Sequence, residues 1–193
     1  MPPAFYFDLF SPEAYLAAER VITLLPAAEW IPVAATALPA ADLLDGFRCA
    51  ADVAAFRDGV ERRAAARGLQ ELRWPEPFPP DSAYAMRAAT YARRIGRTVA
   101  FSLAAFRQAF AGGRDLGVPD NVLIAAAACE MHPRAVTTAV GTASIARALE
   151  EQTALAALRG VRDVPALRLE DGRVLHGDAA IDAAVRAPAR QDA

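Results

Sequence analysis

The sequence predicts an α/β protein in which a β-α-β unit and a β-β-α unit are separated by a long all-helical block. Three observations lead there. A short apolar run, Phe5-Tyr6-Phe7-Asp8-Leu9, passes at once into a helix start at Ser11-Pro12. From Ala40 to Leu158 the chain carries Ala-, Leu- and Arg-rich helical periodicity broken by loops, with no convincing strand. The β signal then returns as two short runs joined by a turn containing Asp171-Gly172.

Each element has a local reason. Phe5, Phe7 and Leu9 alternate with Tyr6 and Asp8, the period of a short strand. Ser11 stands as a helix N-cap, with Pro12 at the first helical position, where a missing N–H costs nothing and φ is already suitable. An amphipathic helix follows over 12–25, with Tyr15, Leu16, Val21, Ile22 and Leu25 at core spacing and Pro26 closing it. Glu29 to Ala35 reads as a second strand, in which Pro32 removes a donor and points to an edge position or a bulge.

In the helical block the breaks are Pro75 to Pro80, Gly112-Gly113, Gly117-Val118-Pro119 and His132-Pro133. They predict helices over 51–68, 82–96, 99–111, 119–129, 133–140 and 142–158. Val164 to Leu169 and Val174 to His176 then form a hairpin through Glu170-Asp171-Gly172-Arg173. A last helix over 178–186 places Ile181 and Val185 on one face, and the polar tail from Ala187 is expected to fray.

Composition excludes several classes of function. The 193 residues, 54% hydrophobic, suffice for one substantial core carrying a large insertion. A net charge of -2 and a pI near 5.7 offer no basic surface for nucleic acid. All 21 basic residues are arginine, so no lysine is available for Schiff-base chemistry. Met1-Pro2-Pro3 leads straight into the first strand without a signal sequence, and no apolar run approaches the roughly 20 residues that span a bilayer. A cytoplasmic protein with no membrane association is expected, with Cys49 and Cys129 reduced and structural. No metal-ligand motif or Gly-rich phosphate loop is present; His132 reads as a loop residue and His176 as a strand residue with no acidic or metal-ligand partner at useful spacing.

The order β-α-β, helical block, β-β-α is the thioredoxin topology with an all-helical insertion. It divides the chain into a thioredoxin-like domain, 1–39 with 159–193, and an inserted helical domain, 40–158. Ser11 sits at the positive end of a helix, beside N–H groups that no helical carbonyl satisfies, where an anion can be held. The segment Phe7-Asp8-Leu9-Phe10-Ser11-Pro12-Glu13-Ala14-Tyr15-Leu16-Ala17, with Gly160-Val161-Arg162-Asp163-Val164-Pro165, resembles the 2-hydroxychromene-2-carboxylate isomerases and kappa-class glutathione transferases. These form the glutathione-binding branch of the DsbA-like thioredoxin superfamily.

The resemblance implies that Ser11, with Pro12 behind it, contacts the sulfur of bound glutathione, and that Val164-Pro165 is the family's cis-proline bond. It also implies that the backbone of Val164 pairs with the ligand as an added strand, and that Asp178 contacts the γ-glutamyl amine. The implied isomerase reaction adds the glutathione thiolate to a conjugated aromatic acid, allows rotation and expels the thiol; a transferase keeps the adduct. A small-molecule substrate and a homodimer are implied as well.

The residues also test this reading. Ser11-Pro12-Glu13-Ala14 stands where disulfide oxidoreductases carry C-x-x-C, so disulfide exchange at this position is excluded. Glu13 replaces an aromatic residue, Ala14 a small polar one, and Asp163 the glycine two residues before the proline, with Arg162 placed to neutralise it. A carboxylate about 7 Å from a thiolate at an effective dielectric near 20 disfavours it by roughly 2 kcal/mol, more than the about 0.3–1 from a helix end. Glu13 pointing outward as a first-turn helix stabiliser would escape that penalty. Asp178 follows Gly177 one place early for the family's G-x-D-R, which leaves it open as a shifted amine ligand or as the cap of the last helix. The alternative function is therefore a catalytically degenerate binding module that has lost glutathione. Walls of an acceptor pocket are sought among Trp74, Phe78, Tyr84, Met86, Tyr91 and Phe101, all of which also suit a core.

Overall fold

A computed structural model describes residues 1–40, 47 and 49–186. Its sheet has the order β2-β1-β3-β4, with β1 (Ala4–Phe7) parallel to β2 (Glu29–Pro32) and antiparallel to β3 (Ala166–Arg168), and β3 antiparallel to β4 (Val174–His176). α1 (Pro12–Leu24) crosses between β1 and β2, and α8 (Ala180–Arg186) follows β4. Between the two halves run α2 (Ala50–Ala66), α3 (Ala83–Arg94), α4 (Thr98–Phe110), α5 (Pro119–Ala127), α6 (Pro133–Val140) and α7 (Ala143–Leu158). Each of the six predicted helices of the block is present, with ends within two residues. Pro32 lies on an edge strand opposite Phe7, where its lost donor removes no inner ladder bond.

Alternation along β1 sorts its side chains onto two faces. Phe5 and Phe7 pack with Trp30, Tyr15 and Phe106 in the larger core, which reaches into α3, α4, α5 and α6. Ala4 and Tyr6 face the smaller core, formed with Ile31, Val33, Leu38, Ala156 and Val164. The helical block and the sheet thus share one continuous core. Gly172, at φ 89°, closes the β3–β4 turn in a backbone region that favours glycine.

Several expectations fail in detail. Ile22 is 41% exposed and Val185 52% exposed, so neither joins the core stripe assigned to it. Ile22 lies off the α1 face made by Ala14, Leu16, Ala17, Ala18 and Val21, and Val185 is in the last turn of a seven-residue helix, beyond the contact that buries Ile181. Cys49 is exposed at the start of α2 rather than structural, while Cys129 is half-buried, and both are free thiols. The tail from Ala187 lies outside the described residues. No described helix is long and apolar enough to cross a membrane.

Candidate functional site

The site is built where β1 ends. Ser11 caps α1, its Oγ accepting the Ala14 N–H at 3.2 Å, with Pro12 in the first turn. The side chain is fully buried at 0% exposure. On the neighbouring strand the β1–β3 register pairs Tyr6 with Ala166, so one step further sets Pro165 opposite Phe7, at the same end of the sheet as Ser11. The Val164–Pro165 bond is cis, and Val164 shares a core cluster with Phe10.

Asp178 is brought to the same place. The Gly177 N–H donates to the Pro165 carbonyl at 2.8 Å, with Gly177 at φ 83°. Asp178, next in the chain, is buried and presents Oδ2 to Arg67 Nη2 at 2.7 Å and to Arg63 Nε at 3.7 Å. Arg63 reaches Glu13 with its other end, Nη2 to Oε1 at 2.6 Å. Glu13 is therefore spent in an ion pair with α2. The acidic helix end feared from the sequence is balanced by two guanidinium groups, and four charges sum to zero.

Sequence reasoning missed those arginines, although Arg63 in the last turn of α2 and Arg67 at its C-cap are spaced i, i+4. It also missed Asp8. This carboxylate is fully buried, accepting the Phe10 N–H at 3.3 Å and the Ala35 N–H at 2.9 Å and meeting the Ser82 side chain. Burial raises its pKa to about 6 against those hydrogen bonds. A charged residue set directly behind an apolar strand and ahead of the Ser11 cap was the available signal. Nearby, the Leu9 N–H meets Met86 Sδ at 3.2 Å, and Met86 and Phe101 are both buried in the larger core. Trp74 and Phe78 are partly buried and stack edge to face at 4.9 Å under the Arg57 guanidinium.

One further expectation is corrected. Arg162 forms no ion pair with Asp163 among the described residues; the Asp163 Oδ1 instead accepts the Val164 N–H at 2.6 Å. His176 is the last residue of β4, as read from the sequence, and its Nε2 accepts the Arg162 N–H at 3.0 Å, while burial holds its pKa below the usual range. His132 caps α6 through Nδ1, which accepts the Arg134 N–H at 3.2 Å. Cys49 is not brought to the site by α2: it lies fourteen residues before Arg63, about 21 Å along a helix at 1.5 Å per residue.

The family model of the DSBA-like thioredoxin domain matches residues 4–187. The chain belongs to that family. No curated protein matches it significantly. Among solved structures, a 2-hydroxychromene-2-carboxylate isomerase is similar at 18% identity and TM-score 0.80, over 95% of this chain and 92% of that one. A probable DsbA oxidoreductase from Streptomyces coelicolor is similar at 19% identity and TM-score 0.78, over 96% and 87%. The cytosolic disulfide reductase DsbM from Pseudomonas aeruginosa, in a structure with GSH, follows at 15% identity and TM-score 0.60, over 91% and 88%. At such identities these likenesses show the DsbA-like thioredoxin fold, with its helical insertion.

Proposed function

We propose that the protein binds glutathione between Ser11 and the Val164–Pro165 segment and acts as a glutathione-dependent isomerase or transferase on an aromatic or electrophilic small molecule. The observation that carries this reading is the convergence of a helix-capping hydroxyl, the cis Val164–Pro165 backbone leading into β3 and a buried carboxylate at one end of the sheet, in a position without a thiol. Bound glutathione would supply the nucleophilic sulfur that Ser11-Pro12-Glu13-Ala14 lacks.

The residues fit that ligand in kind. Ser11 O–H donates to an anionic sulfur while the first-turn N–H groups of α1 and its dipole favour negative charge there. Val164 offers backbone pairing, and Asp178, beside Arg67, is the acidic partner for an amine. Because Arg63 engages Glu13, the carboxylate nearest the helix end no longer opposes the anion at full strength. The chain's own contribution is then thiolate stabilisation and orientation, which the covering residues must part to permit, since Ser11 is buried.

Calorimetric titration with glutathione on the wild type and Ser11→Ala tests the reading, together with an assay of 2-hydroxychromene-2-carboxylate isomerisation. Binding that Ser11→Ala weakens supports it. No binding at millimolar glutathione rejects it in favour of a binding module with another ligand. Sedimentation at equilibrium tests the homodimer proposed with it.

A further inference from the structure

The Asp163 carboxylate stands apart from the arginine cluster and occupies a different group: its Oδ1 accepts the Val164 N–H at 2.6 Å. That N–H is the donor to which a peptide ligand would add in strand fashion. It carries one hydrogen, so a carboxylate and a ligand carbonyl compete for it, and the charged acceptor is the stronger of the two.

The loop around this contact is pinned by its backbone. The Arg162 N–H is held by His176 Nε2 at 3.0 Å, the Arg162 carbonyl accepts the Ala40 N–H at 2.9 Å, and the Pro165 carbonyl accepts the Gly177 N–H at 2.8 Å. Val164 itself is only 2% exposed, while Asp163 is half-buried and borders solvent. The carboxylate can therefore rotate off the amide about its own side-chain torsions while the backbone stays in place.

We propose that Asp163 is a specificity-determining gate, whose carboxylate caps the Val164 N–H so that a peptide-like thiol pairs there only by displacing it. The proposal rests on the reading of this site as a glutathione site. It separates ligands that can outcompete a carboxylate from those that only fit the groove.

The test combines glutathione calorimetry on wild type, Asp163→Ala, Asp163→Asn and Ser11→Ala with NMR of the Val164 amide in the ligand-free proteins. The wild-type amide proton is expected downfield and slow to exchange, and both signatures should vanish in Asp163→Ala. Glutathione should bind Asp163→Ala roughly ten- to hundredfold more tightly than wild type, the worth of one hydrogen bond to a charged group, with Asp163→Asn between them. A wild-type Val164 amide that exchanges freely overturns the gate. So does Asp163→Asn binding as tightly as Asp163→Ala, which would assign the effect to charge repulsion instead of capping. Equal affinity of wild type and Asp163→Ala, with Ser11→Ala still weakened, removes the gate and leaves the glutathione site standing. Absence of binding in every protein removes both.

Discussion

Arg67 meets Asp178 at 2.7 Å in a setting where only 7% of the aspartate side chain is exposed. The pair joins α2, in the helical block, to the loop that carries Pro165's partner Gly177. Taking away the guanidinium leaves a buried carboxylate with Arg63 at 3.7 Å as its remaining ion-pair partner among the described residues. Arg67→Ala is therefore expected to cost about 2–3 kcal/mol, at or below the lower end of the about 3–5 kcal/mol for a broken buried pair because Arg63 compensates in part. Chemical denaturation of Arg67→Ala, Asp178→Ala and the double variant measures this. The double variant should be less destabilised than the sum of the singles, and strict additivity would mean that the pair is not coupled.

Ser11 does structural work whatever it binds. Its Oγ satisfies the Ala14 N–H, so Ser11→Ala should destabilise the protein by about 1 kcal/mol, while Ser11→Asp, an equally good cap by chemistry, is limited by the buried site. Thermal unfolding of Ser11→Ala without ligand gives this baseline. Any loss of glutathione affinity is then read at temperatures where both proteins are fully folded.

The inserted domain is proposed to fold as one unit with the sheet. Phe106 of α4 is fully buried, with its ring centroid 5.8 Å from that of Phe7 and 6.2 Å from that of Tyr15. Phe106→Ala should cost about 3–5 kcal/mol, the range for emptying an aromatic core site. Calorimetry should give one unfolding transition, shifted as a whole by the variant. Two transitions, only one of them shifted, would show that 40–158 unfolds on its own.

Much of this architecture was legible locally. Pro and Gly punctuate the helical block at Pro75–Pro80, Gly112-Gly113, Pro119 and Pro133, and those signals act within a few residues, so the helices could be placed. Ser11-Pro12 was likewise readable as a cap. The charge state of the site was not, because Glu13 finds Arg63 at a separation of 50 residues, and no local rule pairs them. Val185 and Ile22 show the complementary failure: helical spacing names a stripe, but the position of the neighbouring element decides how far round the helix burial extends.

Asp8 gives the last prediction, a dependence of stability on pH. Its carboxyl is fully buried with a pKa raised from 3.8 to about 6, burial being the dominant cause and the bonds from Ala35, Ser82, Phe10 and Leu9 opposing it. The folded protein thus holds a proton that the unfolded chain has released between these values. A group raised in this way contributes stability that is fully present below 3.8 and lost as pH rises through about 6. The full shift corresponds to about 3 kcal/mol at roughly 1.4 kcal/mol per pH unit, of which somewhat more than about 2 kcal/mol falls between pH 4 and pH 7.5. Asp8→Asn cannot titrate, and it replaces an acceptor of the Ala35 and Phe10 N–H groups with an amide that satisfies at most one of them fully. It should therefore be the less stable protein at pH 4.5, with the gap to wild type narrowing as pH rises toward 7.5. Denaturation of both proteins across that window checks the sign: a gap that is constant, or that widens with pH, would place the Asp8 proton outside this range.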